Sequence, residues 1–192
     1  MVIQILAVLS ASAAGGLRIA LPLLVIGLLQ NQQLWTNIPI LATVKPPVLI
    51  GVLTSWSLFE LLGSKRLLGQ RILQIIQLIF SPLAGSLLGV GTAKLTNLQN
   101  VPLWLIAIVG GVLALVLKLV EVGWFFRLRG IPIWVVLIED ILCVGLVLFA
   151  FKAPEQGGLI AMMLLWIAVR SSTAWREWYV EKRKPPIKPI DN

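Results

Sequence analysis

Residues 102–120 read PLWLIAIVGGVLALVLKLV, a run with one charge, Lys118. The hydrocarbon core of a bilayer asks for a helix of about 20 apolar residues rising about 1.5 Å each. This run meets that requirement almost unbroken. Its proline stands in the first turn, where the missing N–H would have no helical partner anyway. The rest of the chain repeats the theme. Of 192 residues, 58% are hydrophobic and 12% charged, against about 25% charged in soluble domains. A core cannot hide that excess, because a domain of this length still exposes much of its surface. Lipid is the solvent the composition asks for.

Outward from that run, five more apolar segments qualify: Val2–Leu29, Pro47–Leu62, Ile72–Val90, Pro132–Phe151 and Gly157–Val169. The expected fold is all-α, a polytopic membrane bundle of about six transmembrane helices. Turn residues separate the segments: Asn31, Asn37 and Pro39; Asn97, Asn100 and Pro102; Gly130 and Pro132; Pro154, Gly157 and Gly158. Residues 1–178 form the transmembrane domain. Residues 179–192 form a basic, Pro-rich cytoplasmic tail, expected to be extended or disordered. Ala11-Ser12-Ala13 resembles a signal-peptide cleavage site, but no basic residue precedes it and the apolar run continues past it, so a retained first span is expected.

Orientation follows from lysine and arginine in the connections. With the N-terminus inside, twelve fall on the inner side: Lys65, Arg66, Arg71, Lys118, Arg127, Arg129, Arg170, Arg176, Lys182, Arg183, Lys184 and Lys188. Three fall outside, Lys45, Lys94 and Lys152. Both termini are therefore expected in the cytoplasm. Trp35 and Trp104 mark the outer interface; Trp124, Trp134, Trp175 and Trp178 mark the inner one.

Some side chains are expensive to keep in lipid. A charge near the membrane centre costs about 2.5–3.5 kcal/mol on insertion scales. Arg18 lies about 24 Å along the first span at about 1.5 Å per residue, too deep to reach water easily. Glu139 and Asp140, about two turns into the fifth span, are the expected partners. Such a pair fixes helix register, or else it serves transport or proton relay. In the third span Gln70, Gln74, Gln77, Ser81 and Gly85 share one face. They bond neighbouring helices or line a polar cavity. Gly85 and Gly89 form a small-xxx-small motif for close approach, and Gly15-Gly16 accompany it in span one. Pro82 and Pro22 predict breaks in their helices, a pattern found at transporter sites. Glu60, Lys118 and Glu121 are placed near the inner membrane edge, where solvated pairing is the expectation.

Several functions are excluded or unsupported. The chain has no histidine and one cysteine, Cys143, so the commonest base and metal ligand are missing and no intrachain disulfide can form. Gly91-Thr92-Ala93-Lys94 lacks the spacing of a P-loop. No Gly-x-Ser-x-Gly elbow or metal-ligand cluster occurs. The expectation is no enzyme, no cofactor and no metal. The net charge of +8 is spread over connections and forms no basic face, so no nucleic-acid partner is expected. The partners are the lipid bilayer and either a homo-oligomer or a larger membrane complex.

Three stretches carry a family resemblance. They are Ala11-Ser12-Ala13-Ala14-Gly15-Gly16-Leu17-Arg18 with Leu21-Pro22-Leu23, then Leu58-Phe59-Glu60-Leu61, then Ile76-Gln77 with Phe80-Ser81-Pro82-Leu83-Ala84-Gly85-Ser86. Together they resemble the uncharacterised bacterial and cyanobacterial membrane proteins grouped as domain of unknown function four-one-two-six. Where that family has an acidic-basic hinge with a proline, this chain has Gly63-Ser64-Lys65-Arg66. The resemblance implies a multi-pass helical fold in a plasma or thylakoid membrane, and no activity. The leading functional expectation is a small-solute or ion transporter or channel subunit. Its site is Arg18, Gln74, Gln77, Ser81, Glu139 and Asp140, with Gly15, Gly16, Gly85 and Gly89 as packing residues. The competing expectation is a non-catalytic accessory or assembly subunit.

Overall fold

A computed structural model describes residues 1–29, 43–63, 67–98, 101–128 and 132–182. All regular structure among them is helical: α1 Val2–Leu17, α2 Ala20–Leu29, α3 Pro46–Gly63, α4 Leu67–Leu95, α5 Leu103–Leu128, α6 Ile133–Lys152 and α7 Pro154–Lys182. Three stretches, Arg71–Leu95, Leu103–Phe125 and Trp134–Lys152, are long and apolar enough to cross a membrane. The chain is thus a helical membrane protein, with three such helices among the described residues.

The bundle is apolar outside, and inside it a polar cluster is buried within an apolar core. On α4, Ile72, Ile75, Ile79 and Leu83 are exposed at helical spacing, while Gln74, Gln77 and Ser81 are buried. Water would penalise that arrangement, and lipid rewards it.

The central element is α1. Every residue from Ser10 to Arg18 is buried, and α4, α5, α6 and α7 all pack against it. Its sequence explains why. Ser10-Ala11-Ser12-Ala13-Ala14-Gly15-Gly16 has no bulk on any face, so four neighbours can approach together. A methyl group placed on Gly16 would come within 2.9 Å of the Ala114 Cα, and one on Gly89 within 2.8 Å of the Ser12 hydroxyl. On Gly85 it would strike the Ala114 side chain, and on Gly15 it would reach 3.0 Å from the Gly85 nitrogen. Hydroxyls stitch the same contacts. Ser12 donates to the Gly85 carbonyl at 3.1 Å and Ser10 to the Leu146 carbonyl at 2.7 Å. Ser86 donates to the Ala107 carbonyl at 2.7 Å. The Cys143 thiol, fully buried, donates to the Ala14 carbonyl at 3.5 Å.

These contacts fix helix directions. Gln4 reaches the Thr96 carbonyl, Ser12 reaches Gly85 and Ser81 reaches the Gly15 carbonyl, so α1 is antiparallel to α4. Ser10 meets Leu146 and Arg18 meets Asp140, so it is antiparallel to α6. It runs parallel to α5, with Gly16 beside Ala114 and Leu17 beside Lys118. Val2 therefore shares an end with the α4–α5 and α6–α7 turns, and α7 finishes at the other end, beyond Ser171, which meets Trp124 near the end of α5. The sequence reading put both termini on one side. In the bundle α1 begins and α7 ends on opposite sides.

The break expected in the first span is present: the span is two helices, separated at Arg18 and Ile19, just ahead of Pro22, with Arg18 extended at φ −133° and ψ 149°. Two further expectations are corrected. Pro82 does not break its helix; α4 is continuous from Leu67 to Leu95. The last apolar segment belongs to a helix that starts at Pro154 and runs to Lys182, past the position where the tail was placed. Residues 183–192, the end of that tail, lie outside the described residues, as does the Ser64-Lys65-Arg66 hinge.

Candidate functional site

A helix that stops inside a bundle leaves carbonyls at one stump and N–H groups at the next. At the Arg18–Ile19 break, charged side chains from other helices meet both. Lys118, from the middle of α5, is fully buried and donates to the Leu17 carbonyl at 3.1 Å. A cation thus sits at the negative end of α1. Glu60, near the end of α3, is 1% exposed, and its Oε1 accepts from the Ile19 N–H at 3.4 Å. A carboxylate thus sits at the positive end of α2. Both placements follow the helix dipole. Pro22 stands in the first turn of α2 and removes one N–H from the set that needs a partner.

Around the break the charges form one network. Arg18 Nε donates to Asp140 Oδ1 at 2.7 Å, and its Nη2 lies 3.7 Å from Glu139 Oε2. Lys118 Nζ pairs with Glu121 Oε2 one turn along and lies 3.7 Å from Glu139 Oε1. Gln74 Nε2 donates to Glu121 Oε1 at 2.8 Å. Glu60 Oε1 also accepts from Gln77 Nε2 at 3.0 Å and Trp56 Nε1 at 3.2 Å. Ser81 donates to the Ala114 carbonyl at 3.1 Å. Six helices meet here: α1 and α2 at the break, with α3, α4, α5 and α6 around it.

The charge balance is uneven. Two cations, Arg18 and Lys118, face four carboxylates, Glu60, Glu121, Glu139 and Asp140. Hydrogen bonding is uneven too. Among the described residues Glu60 Oε2, Gln74 Oε1 and Glu139 Oε1 are buried acceptors without a hydrogen-bond partner, and Arg18 Nη2 is a buried donor without one. Each such group costs about 1–3 kcal/mol. No group of three or more His, Cys, Asp or Glu among the described residues is arranged to hold a metal ion.

The sequence brought part of this together. Arg18 does meet Asp140 and Glu139, and the two acids share the guanidinium. Gln74, Gln77 and Ser81 do share a buried face, and each bonds a neighbouring helix. Gln70 lies in α4, but its side chain is outside the described set. Gly15, Gly16, Gly85 and Gly89 are all at close helix approaches. The sequence missed Glu60 and Lys118, placing both at a solvated edge, and it gave Glu121 no contact beyond that edge pair. The signal for Lys118 was available. α5 continues eight residues past Val120 to Leu128, so Lys118 lies about 15 Å inside the helix end at about 1.5 Å per residue.

Fold and site define a helical membrane protein with an ionised core around a broken helix. A domain family described as "Domain of unknown function (DUF4126)" matches residues 5–174, and the chain belongs to that family. No curated protein and no solved structure matches the chain.

Proposed function

We propose that this protein is a proton-coupled transporter of a small solute or ion, or a channel subunit, and not an enzyme. One observation carries the reading. The network at the Arg18–Ile19 break holds two more carboxylates than cations, together with orphaned acceptors on α3, α4 and α6. An excess of negative charge in a low-dielectric interior is costly. Protons or a small cation offset it, and orphaned acceptors are where a hydrogen-bonding solute or a proton would be received. Broken helices at membrane depth serve this purpose in transporters, the stump dipoles facing ions and polar groups. Here Lys118 and Glu60 occupy those two positions, so exchange requires that one of them move. The end that carries Arg71, Arg127, Arg170 and Arg176 is the positively charged one, which supports a cytoplasmic position for it in a plasma or thylakoid membrane. The start of α1 then faces the opposite side, and a second copy of the chain completes a functional unit.

The test is proton entry into proteoliposomes carrying a trapped pH-sensitive dye, driven by a pH gradient. The wild-type protein should conduct protons above protein-free vesicles, and R18Q should lose most of that rate. Unchanged rates in an R18Q variant that still folds would remove the site.

A second reading is favoured by one observation. Arg18 is 4% exposed and its partners are protein groups, as suits a bundle locked by its ion pairs. The protein would then be an accessory subunit of a larger membrane complex, and purification in mild detergent would bring down a stoichiometric partner.

A further inference from the structure

Away from the charged network, α5 and α7 leave a groove of ≈ 170 Å³ between them. Its lining changes character along its length. Leu119 and Val120 line the part nearer the bundle interior. Gly123 leaves space: a methyl group added there would meet nothing within 4 Å. Trp124 forms a wall, 52% exposed, with its Nε1–H donated to Ser171 Oγ at 2.7 Å. Arg127 and Ser172 line the part nearest the end of α5. From Leu119 to Arg127 is about 12 Å along the helix at about 1.5 Å per residue.

We propose that this groove binds the headgroup end of one anionic phospholipid, with an acyl chain along Leu119 and the phosphate at Arg127, Ser171 and Ser172. The groove lies on the side of α5 facing α7 at the arginine-rich end of a helix that can cross the bilayer, so its mouth falls at the depth of lipid phosphates. The polarity gradient matches a phospholipid in length and direction. A guanidinium and hydroxyls suit a phosphodiester, and a serine hydroxyl that accepts from an indole can still donate. Among the described residues no carboxylate lines the groove, and Glu121 of the same helix turns away to Lys118 and Gln74. Arg170, stacked over the Trp166 ring at 5.4 Å, and Arg176 add positive charge on α7. The last turn of α5 presents carbonyls that disfavour an anion; Arg127, in that same turn, opposes them with its own positive charge. Basic grooves between helices at the cytoplasmic face bind lipid headgroups by this chemistry. A free phosphate would satisfy the mouth but leave the apolar depth empty, so the lipid is the better fit.

The experiment is native mass spectrometry of the full chain in mild detergent. Phosphatidylglycerol is titrated against phosphatidylcholine of the same chains and, separately, against inorganic phosphate. The wild-type protein should retain one phosphatidylglycerol in preference to phosphatidylcholine. R127Q, at an exposed position, should weaken that preference about five-fold, the worth of one basic residue near an anionic surface. G123L should fill the groove and lose the bound lipid of either headgroup while melting like the wild type. Equal retention of the two lipids by the wild type would overturn the proposal. So would a G123L variant that keeps the lipid, or a site that inorganic phosphate fills as well as phosphatidylglycerol does. If G123L fails to fold, R127Q decides alone: an unchanged preference rejects the site.

Discussion

α1–α2 and α4 each carry helix-breaking residues at membrane depth, and only one of them breaks. In α1 the chain leaves the helix at Arg18 and resumes it at Ala20. In α4 the helix passes through Pro82 without interruption. Both segments carry a proline, Pro22 and Pro82, and each is a breaker by intrinsic propensity, about 3 kcal/mol against alanine. Propensity therefore does not decide the outcome. What differs is the supply of partners for the backbone. At Arg18, Lys118 donates to the Leu17 carbonyl and Glu60 accepts from the Ile19 N–H. Among the described residues no charged side chain takes up the backbone around Pro82, and α4 is tied to α5 on both sides, by Ser81 to Ala114 and Ser86 to Ala107. In lipid a helix opens where other groups can satisfy its ends, and stays closed elsewhere.

That contrast can be broken from either side. The largest effect should follow Lys118→Met. It leaves four carboxylates facing one cation and strips the Leu17 carbonyl, so a loss of about 3–5 kcal/mol is expected, read as a large drop in melting temperature in detergent. Gly85→Val comes next, because a side chain there meets Ala114 and the Gly110 carbonyl. Prising α4 from α5 should cost about 2–3 kcal/mol, seen in the same melt. Glu60→Gln keeps an acceptor for the Ile19 N–H but removes the charge at the head of α2. It should cost about 1 kcal/mol, and faster hydrogen exchange should be confined to the first turn of α2. Pro82→Ala should stabilise by less than about 1 kcal/mol, since the helix is already formed and only one backbone bond is restored. A Pro82→Ala protein that melts far higher would mean α4 is strained, and the comparison above would fall.

How much of this was legible depends on the cost of error at each residue. Arg18 was readable because a lone charge at that depth must be paired, and only α6 carries acids well inside a long apolar run. The small-residue contacts were readable because glycine and serine at four-residue spacing have few other uses in a span. The direction of α1 was not. Counting basic residues requires some near each helix end, and no lysine or arginine precedes Arg18. The first segment therefore inherited its direction from the number of spans. Glu60 and Lys118 were misplaced because the apolar runs were closed two residues beyond them, at Leu62 and Val120, which put both charges at a span edge. A charge paired inside the bundle does not end a helix; it marks where another helix stops.

Cys143 carries a practical consequence. It is the chain's sole thiol, and α1 shields it completely. A water-borne maleimide should leave the native protein unlabelled, so a cysteine introduced at either end of the bundle would report against a silent background. Tagging at Val2 and at Arg176 from each face of a sealed vesicle would then reveal directly whether the first and last helices emerge into different compartments.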